Sequence, residues 1–198
     1  MNAKAIRAIV IGFVVAFLVS AGLAWLDAAA GKPDLQQEVM IGVVFGAITA
    51  YILGNLSGNR SIASASGTDR AAAIARTPPP GKMLLYVWRE GFIAKMAGLN
   101  LSIDGRPVAQ IKAPRFTLVA LPARQATLGA AFGGLAGAQS KSNEIVLDPP
   151  ANGILVVKIT IAMGLVQGSV RFAVQPDGES ARRSLASVTM TPADVPEI

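Results

Sequence analysis

Two long uncharged runs near the start of the chain constrain its fold more than any other feature. The first run covers residues 8–26 and the second covers residues 39–56, and neither contains a charged side chain. A helix needs about 20 apolar residues to cross the roughly 30 Å hydrocarbon core of a bilayer. The polar stretch between the runs is short enough to join two antiparallel helices. The sequence therefore predicts a two-helix transmembrane anchor over residues 1–57.

The composition favours membrane-embedded segments and excludes several kinds of functional site. Hydrophobic residues make up 52% of the 198 residues and charged residues only 15%, whereas soluble domains carry about 25% charged residues. The absence of cysteine excludes disulfides, a lipoprotein acyl anchor and thiolate metal sites. The absence of histidine removes the commonest general base and the commonest transition-metal ligand.

The first run has an alternative interpretation as a signal peptide. Lys4 and Arg7 precede it, and the small residues Ala28, Ala29 and Ala30 form a possible cleavage site. The apolar part of a signal peptide usually has about 7–15 residues, and the run is longer than that. A transmembrane helix is therefore the favoured interpretation, and cleavage remains the alternative.

Basic residues are distributed unevenly around the two predicted spans. The stretch between the spans has one basic residue, Lys32, among three acidic ones. Since basic residues concentrate on the cytoplasmic side, we expect a multi-pass protein of a bacterial inner membrane with both termini in the cytoplasm; a periplasmic second domain is the alternative. We expect Trp25, Tyr51 and Arg60 to be anchors at the membrane interface. The flanking basic residues are Lys4, Arg7, Arg60, Arg70 and Arg76.

Small residues recur at every fourth position in both runs, which places each set on one helix face. Small faces let the backbones of membrane helices approach closely. The favoured interpretation is that the two faces pack on each other within one hairpin, and the alternative is that they pack on another subunit. The predicted packing residues are Gly12, Ala16, Ser20 and Ala24 in the first run, preceded by Ala8, and Gly42, Gly46, Ala50 and Gly54 in the second.

The composition changes after the second run. Residues 58–81 are rich in Ser, Gly, Ala and Pro and predict a flexible linker with a short helical extension over 71–76. Residues 82–190 alternate with period two between turn signals, which predicts a β-sandwich, and residues 191–198 form a tail. Asp104-Gly105 predicts a tight hairpin turn, and Asp177 predicts the N-cap of a helix near 179–187. The predicted strands cover residues 83–89, 99–103, 107–112, 116–121, 125–130, 143–147, 154–161 and 169–174.

The order of features within residues 83–188 resembles a known family. A strand ending in residues 86–89 (YVWR) precedes a strand ending in residues 101–105 (LSIDG), and residues 116–123 (FTLVALPA) precede residues 126–128 (ATL). This order resembles the bacterial β-sandwich modules known as domain of unknown function 2846, and more loosely the PEGA domains. Ala123 and Gln125 stand where those modules usually have Gly and His. The resemblance implies a sandwich that is often exported or lipid-anchored, and it implies no catalytic residue.

The second domain offers no pattern of residues for catalysis. Its acidic residues are scattered singly at turns and strand ends, so no metal site and no cofactor are predicted. The glycines of residues 129–137 lack the Gly-Lys-Ser/Thr ending and the strand-to-helix context of a phosphate loop. A hairpin loop over 126–138 is the favoured interpretation, and the alternatives are that this uncharged stretch dips into the membrane surface or packs against a partner. The net charge of +6 comes without a basic run, so no binding of nucleic acid is expected. The sequence identifies no small-molecule substrate.

Together these patterns predict a membrane α-helical hairpin plus an all-β sandwich domain with a short C-terminal helix. The favoured function is that of a non-enzymatic accessory or scaffolding subunit of an inner-membrane assembly. Its predicted partners are the lipid bilayer and another membrane protein or a second copy of the chain. The alternative is a module of the cell envelope that binds peptidoglycan or another glycan.

Overall fold

The computed structural model describes residues 3–32, 34–61, 63–133, 143–163 and 168–198. The described chain divides into two compact units. The first unit extends to Gly58 and contains two long helices, and the second begins at Asn59 and contains the β domain. The fold class is the predicted one, a helical hairpin and a β-sandwich with a short helix near the C-terminus.

The first unit is an antiparallel pair of helices, α1 (Ala3–Ala29) and α2 (Leu35–Leu56). Both are long and apolar enough to cross a membrane. The Asp34 side chain caps α2 by accepting a hydrogen bond of 3.1 Å from the Gln37 backbone N–H, which satisfies a donor that the first helical turn leaves unpaired. Each helix is longer than the uncharged run that predicts it. Helix α1 includes polar residues on both sides of its run, and α2 includes the polar residues that precede its run.

The second unit contains two packed β-sheets. The five-stranded sheet has the order β8-β7-β1-β4-β9 and the four-stranded sheet has the order β3-β2-β5-β6. Two pairings in the larger sheet are parallel, β1 with β7 and β4 with β9. The strands are β1 (Lys82–Arg89), β2 (Leu99–Ile103), β3 (Arg106–Ile111), β4 (Arg115–Pro122), β5 (Ala126–Phe132), β6 (Asn143–Leu147), β7 (Ile154–Met163), β8 (Gly168–Val174) and β9 (Thr189–Met190).

The larger sheet is covered on both faces. Leu84 and Tyr86 of β1 pack with Leu185 in a core between this sheet and the helical segments. The alternate residues of β1 point to the other face, where Leu85 and Val87 are also buried. A strand buried on both sides needs an almost continuous apolar run, which explains the sequence of residues 83–88 (MLLYVW).

The predicted linker contains a structured element that belongs to the second unit. Helix α3 (Gly67–Ala75) is capped by Ser66, whose hydroxyl accepts a hydrogen bond of 3.0 Å from the Asp69 backbone N–H. Ala73 of α3 is buried in the core, and its carbonyl accepts a hydrogen bond of 2.7 Å from the Tyr86 hydroxyl. The structure therefore differs from a flexible linker over 58–81, since contacts that are distant in sequence hold this segment on the sheet.

The predicted tail also belongs to the larger sheet. The Thr191 backbone N–H donates to the carbonyl of Phe116 over 2.8 Å, and the Ile198 N–H donates to the carbonyl of Ala120 over 3.0 Å. Residues 189–198 thus follow β4 along its outer side. Their backbone groups satisfy an edge that the sheet would otherwise expose.

Two local predictions are confirmed. Asp104 and Gly105 have φ angles of 49° and 76°, as expected for the central residues of a tight hairpin turn. Asp177 caps helix α4 (Gly178–Ser184), which continues as a 3-10 helix over Leu185–Ser187. The predicted strand over 125–130 and the expected hairpin loop over 126–138 overlap, and the structure has the strand there, since β5 extends to Phe132; residues 134–138 lie outside the described residues.

Candidate functional site

The closest approach of α1 and α2 occurs at glycines. A Cβ atom added at Gly46 would lie 2.5 Å from the Gly12 carbonyl oxygen and 2.6 Å from the Ala16 Cβ. A Cβ atom added at Gly12 would lie 2.7 Å from the Ala50 Cβ, and one at Gly42 would lie 2.5 Å from the Ala16 carbonyl oxygen. Real Cβ atoms do not approach other atoms this closely, so a side chain at any of the three glycines would separate the helices.

The other predicted packing residues differ in their surroundings. Ser20 stands opposite Gly42. Gly54 is buried, and its carbonyl accepts a hydrogen bond of 2.6 Å from the Ser57 hydroxyl. Ala24 is only half-buried. The small faces of α1 and α2 therefore contact each other within the first unit.

The three predicted interface anchors have different surroundings. Trp25 and Tyr51 are exposed on the first unit, as aromatic side chains at a headgroup layer would be. Arg60 lies in the second unit, where its guanidinium forms an ion pair of 2.6 Å with Asp194. Its position is therefore determined by the β domain.

The first residues of the second unit are held to the β domain by a polar network, which we call the connector (residues 59–61). The Asn59 amide donates to the Met96 carbonyl over 2.8 Å and accepts from the Gly98 N–H over 2.5 Å. The Arg60 N–H donates to Gln110 Oε1 over 2.7 Å, and Gln110 in turn donates to Asn100 over 2.7 Å. These bonds join the connector to β2, to β3 and to the loop that precedes β2.

A basic cleft of about 110 Å³ adjoins the connector. A single water needs only about 10–15 Å³, so the cleft has room for a group of several heavy atoms. Arg60 pairs with Asp194, whereas Lys112 and Arg115 form no ion pair with any carboxylate of the described residues. The cleft is lined by Arg60, Ser61, Gln110, Lys112, Arg115 and Thr191.

Thr191 adds a polar group at the edge of this cleft. The residue is buried, and its hydroxyl has no hydrogen-bond partner within the described part of the chain. A buried hydroxyl without a partner costs about 1–3 kcal/mol. Together with two half-buried cations, it makes the cleft suited to an anionic oxygen group.

The loop 90–98 lies beside the connector and exposes apolar side chains; we call it the apolar loop. Phe92 is 86% exposed and Met96 is 65% exposed, and Ile93 is also exposed. Lys95 is the basic residue of the loop. Exposed apolar side chains that are grouped in this way are typical of a surface that contacts a partner or a membrane.

A buried arginine holds the apolar loop in place. The Arg89 guanidinium donates to the carbonyls of Ala94 over 2.7 Å, Ala97 over 2.5 Å and Ile111 over 3.2 Å. It also lies 5.3 Å from the centre of the Phe132 ring. Burial lowers the pKa of Arg89 to about 10, so the side chain stays charged at neutral pH. Its hydrogen bonds fix the backbone of the loop, and the loop's apolar side chains stay exposed.

The arrangement of these groups suits the binding of an anion and of an apolar surface. Within the described residues, no group of three acidic side chains comes together to hold a metal ion. At one end of its sheets, the second unit brings together the connector, the exposed apolar loop and two cations, Lys112 and Arg115, that have no ion-pair partner in the described part of the chain.

The sequence does not reveal this combination. Lys112 and Arg115 are isolated in sequence from Arg60 and Thr191, and only the sheet pairing brings them to one cleft. A signal for the apolar loop does exist, because residues 90–98 (EGFIAKMAG) place Phe, Ile and Met between two strands where polar turn residues are usual.

Comparison of the chain with protein-family models, with curated proteins and with solved structures found no match.

Proposed function

We propose that this chain is a non-enzymatic accessory or scaffolding subunit of a bacterial inner-membrane assembly, anchored by the α1–α2 hairpin. The observation that carries the proposal is the hairpin itself. Its glycines allow the two helices to pack in close contact. The sides that face away from this contact carry large side chains such as Phe13 and Phe17, which are 75% and 72% exposed. Such sides contact lipid or the helices of another membrane protein.

A groove on the hairpin supports contact with another helix. It has a volume of about 260 Å³ and runs beside the small residues Gly12, Ala16, Gly46 and Ala50. Close packing is the main source of attraction between helices in lipid, so a groove lined by small residues is a favourable seat for a third helix. Residues Ile9, Phe13, Val43 and Ala47 complete its lining.

Native mass analysis after extraction in mild detergent tests this proposal. We expect the chain to be recovered with a second membrane protein or with further copies of itself. Ala47→Trp fills the groove and should abolish the association, whereas Ala21→Trp, which adds the same side chain at an exposed position outside the groove, should leave it intact. A strictly monomeric wild-type chain would contradict the proposal.

The distribution of basic residues supports an orientation with both termini in the cytoplasm. Lys32 is the one basic residue between the two spans, whereas Lys4 and Arg7 precede the first span and Arg60 follows the second. Basic residues concentrate on the cytoplasmic side of a membrane protein. We expect a C-terminal reporter that is active only in the cytoplasm to be active, and one that is active only in the periplasm to be silent. The opposite pattern would favour a module of the cell envelope that binds glycans.

A further inference from the structure

We propose that the end of the β domain formed by the apolar loop and the basic cleft rests on the bilayer surface and binds the phosphate group of an anionic lipid. This inference rests on the membrane anchoring proposed above. The apolar side chains of the loop enter the headgroup layer, and Lys112 and Arg115 contact the lipid phosphate.

The covalent chain limits the distance between this end and the membrane. Asn59 follows the last residue of α2, Leu56, by three residues, and consecutive Cα atoms are about 3.8 Å apart, so Asn59 lies within about 11 Å of the end of the helix. This limit follows from connectivity and holds for any arrangement of the two units. The headgroup layer on each side of a bilayer is about 5–8 Å thick, so the connector lies at or close to that layer.

The connector brings the apolar loop to the same depth. The Asn59 side chain bonds directly to the backbone of Met96 and Gly98, so the C-terminal end of the loop lies within one side chain of the connector. Phe92 and Met96 are exposed there. At the membrane interface, burial of these apolar side chains among the headgroups and upper acyl chains would lower the free energy of the bound state.

Charge complementarity indicates the kind of lipid. Lys112 and Arg115 have no carboxylate partner among the residues described, and they share a cleft with the buried Thr191 hydroxyl. Lys95 adds a further positive charge on the loop. Basic side chains beside a membrane are attracted to anionic headgroups, and arginine binds phosphate with two parallel hydrogen bonds. The cleft thus has the chemistry of a phosphate site at the depth where lipid phosphates lie.

The test uses the full chain in lipid vesicles with a single environment-sensitive fluorophore. Because the chain has no cysteine, Phe92→Cys provides one labelling site in the apolar loop. Ala151→Cys, in the exposed turn before β7 at the opposite end of the domain, is the matched control. The vesicles consist of phosphatidylcholine alone or of an equal mixture with phosphatidylglycerol.

We expect the label at position 92 to shift to the blue and to be quenched by lipids that carry a quencher near the headgroup, and we expect the label at position 151 to remain in water. The effect at position 92 should be stronger in the anionic vesicles. Lys112→Gln with Arg115→Gln should weaken the preference for anionic lipid by roughly five-fold for each charge removed. Arg106→Gln with Arg171→Gln, which removes the same charge from exposed positions elsewhere on the domain, should not change it.

Several outcomes would overturn the inference. A label at position 92 that stays in water, or that responds equally to both lipid mixtures, contradicts it. Binding of inorganic phosphate that depends on Lys112 and Arg115 without any preference for anionic vesicles would identify a site for free phosphate instead. If the chain floats with the vesicles but the label stays in water, the inference fails and the anchoring stands; if the chain does not float, the anchoring itself fails.

Discussion

Replacing Arg89 with methionine is expected to lower the free energy of unfolding of the β domain by about 3 kcal/mol. The substitution removes the guanidinium donor from the buried carbonyls of Ala97 and Ile111 and from the Ala94 carbonyl, which keeps a hydrogen bond of 3.0 Å from the Ala97 N–H. Each buried carbonyl that is left without a partner costs about 1–3 kcal/mol. Part of this loss is offset because the variant no longer has to bury a charged guanidinium. Denaturation with urea in mild detergent, followed by Trp88 fluorescence in a Trp25→Phe background, measures the loss.

A matched control separates this role from loss of charge. Arg171 is exposed on β8, so Arg171→Met should change the stability by less than about 0.5 kcal/mol. Because the folded pKa of Arg89 is lowered to about 10 by burial, the unfolded state binds more protons only above that pH. The loss caused by Arg89→Met should therefore be constant across the neutral range. Equal stability of the two variants would show that the carbonyls find other donors.

Replacing Gly46 with leucine is the second substitution with a large expected effect. Its Cβ would meet the Gly12 carbonyl oxygen at 2.5 Å, and a backbone atom in a packed helix cannot move aside as a side chain can. We expect a destabilisation of the hairpin at the upper end of the about 1–3 kcal/mol that overpacking costs. Thermal unfolding in detergent measures it, with cleavage within α1 and α2 by proteinase K as a second readout, and the β domain should remain folded.

The chain offers a control with the same substitution. Gly22 lies in α1 with open space where its Cβ would be, so Gly22→Leu should be tolerated. Gly12→Leu should reproduce the damage of Gly46→Leu, because the two glycines face each other. If Gly46→Leu and Gly22→Leu behave alike, the four-residue spacing is a consequence of composition and does not hold the helices together.

The elements with strong local signals could be predicted from the sequence. The period-two pattern of residues 99–103 predicts β2, and the dipeptide Asp104-Gly105 predicts the turn after it. The four-residue spacing predicts which faces of α1 and α2 carry the small residues. Each of these signals depends on residues that are neighbours in the chain, so periodicity and turn chemistry are sufficient to detect them.

The features without local signals were not predictable. Nothing in the Ser- and Ala-rich segment around Ala73 predicts that its carbonyl accepts a hydrogen bond from the Tyr86 hydroxyl. From its position at the end of a strand, the Arg89 side chain would be expected in solvent. In the structure it is fully buried and donates hydrogen bonds to three carbonyls. The basic cleft combines residues from the connector, β3, β4 and the segment after β9. These contacts form only when the sheets assemble, and no pattern of neighbouring residues anticipates them.

The parallel pairings of the larger sheet impose an order on biogenesis. Leu84 in β1 pairs with Ile154 in β7, and Phe116 in β4 pairs with Met190 in β9. Each of these early strands therefore has one neighbour in the sheet that is synthesised much later. Contacts of such long sequence separation form slowly. The hairpin, in contrast, is complete within residues 3–56 and leaves the ribosome first. The β domain therefore completes its sheets only after the whole hairpin has been synthesised.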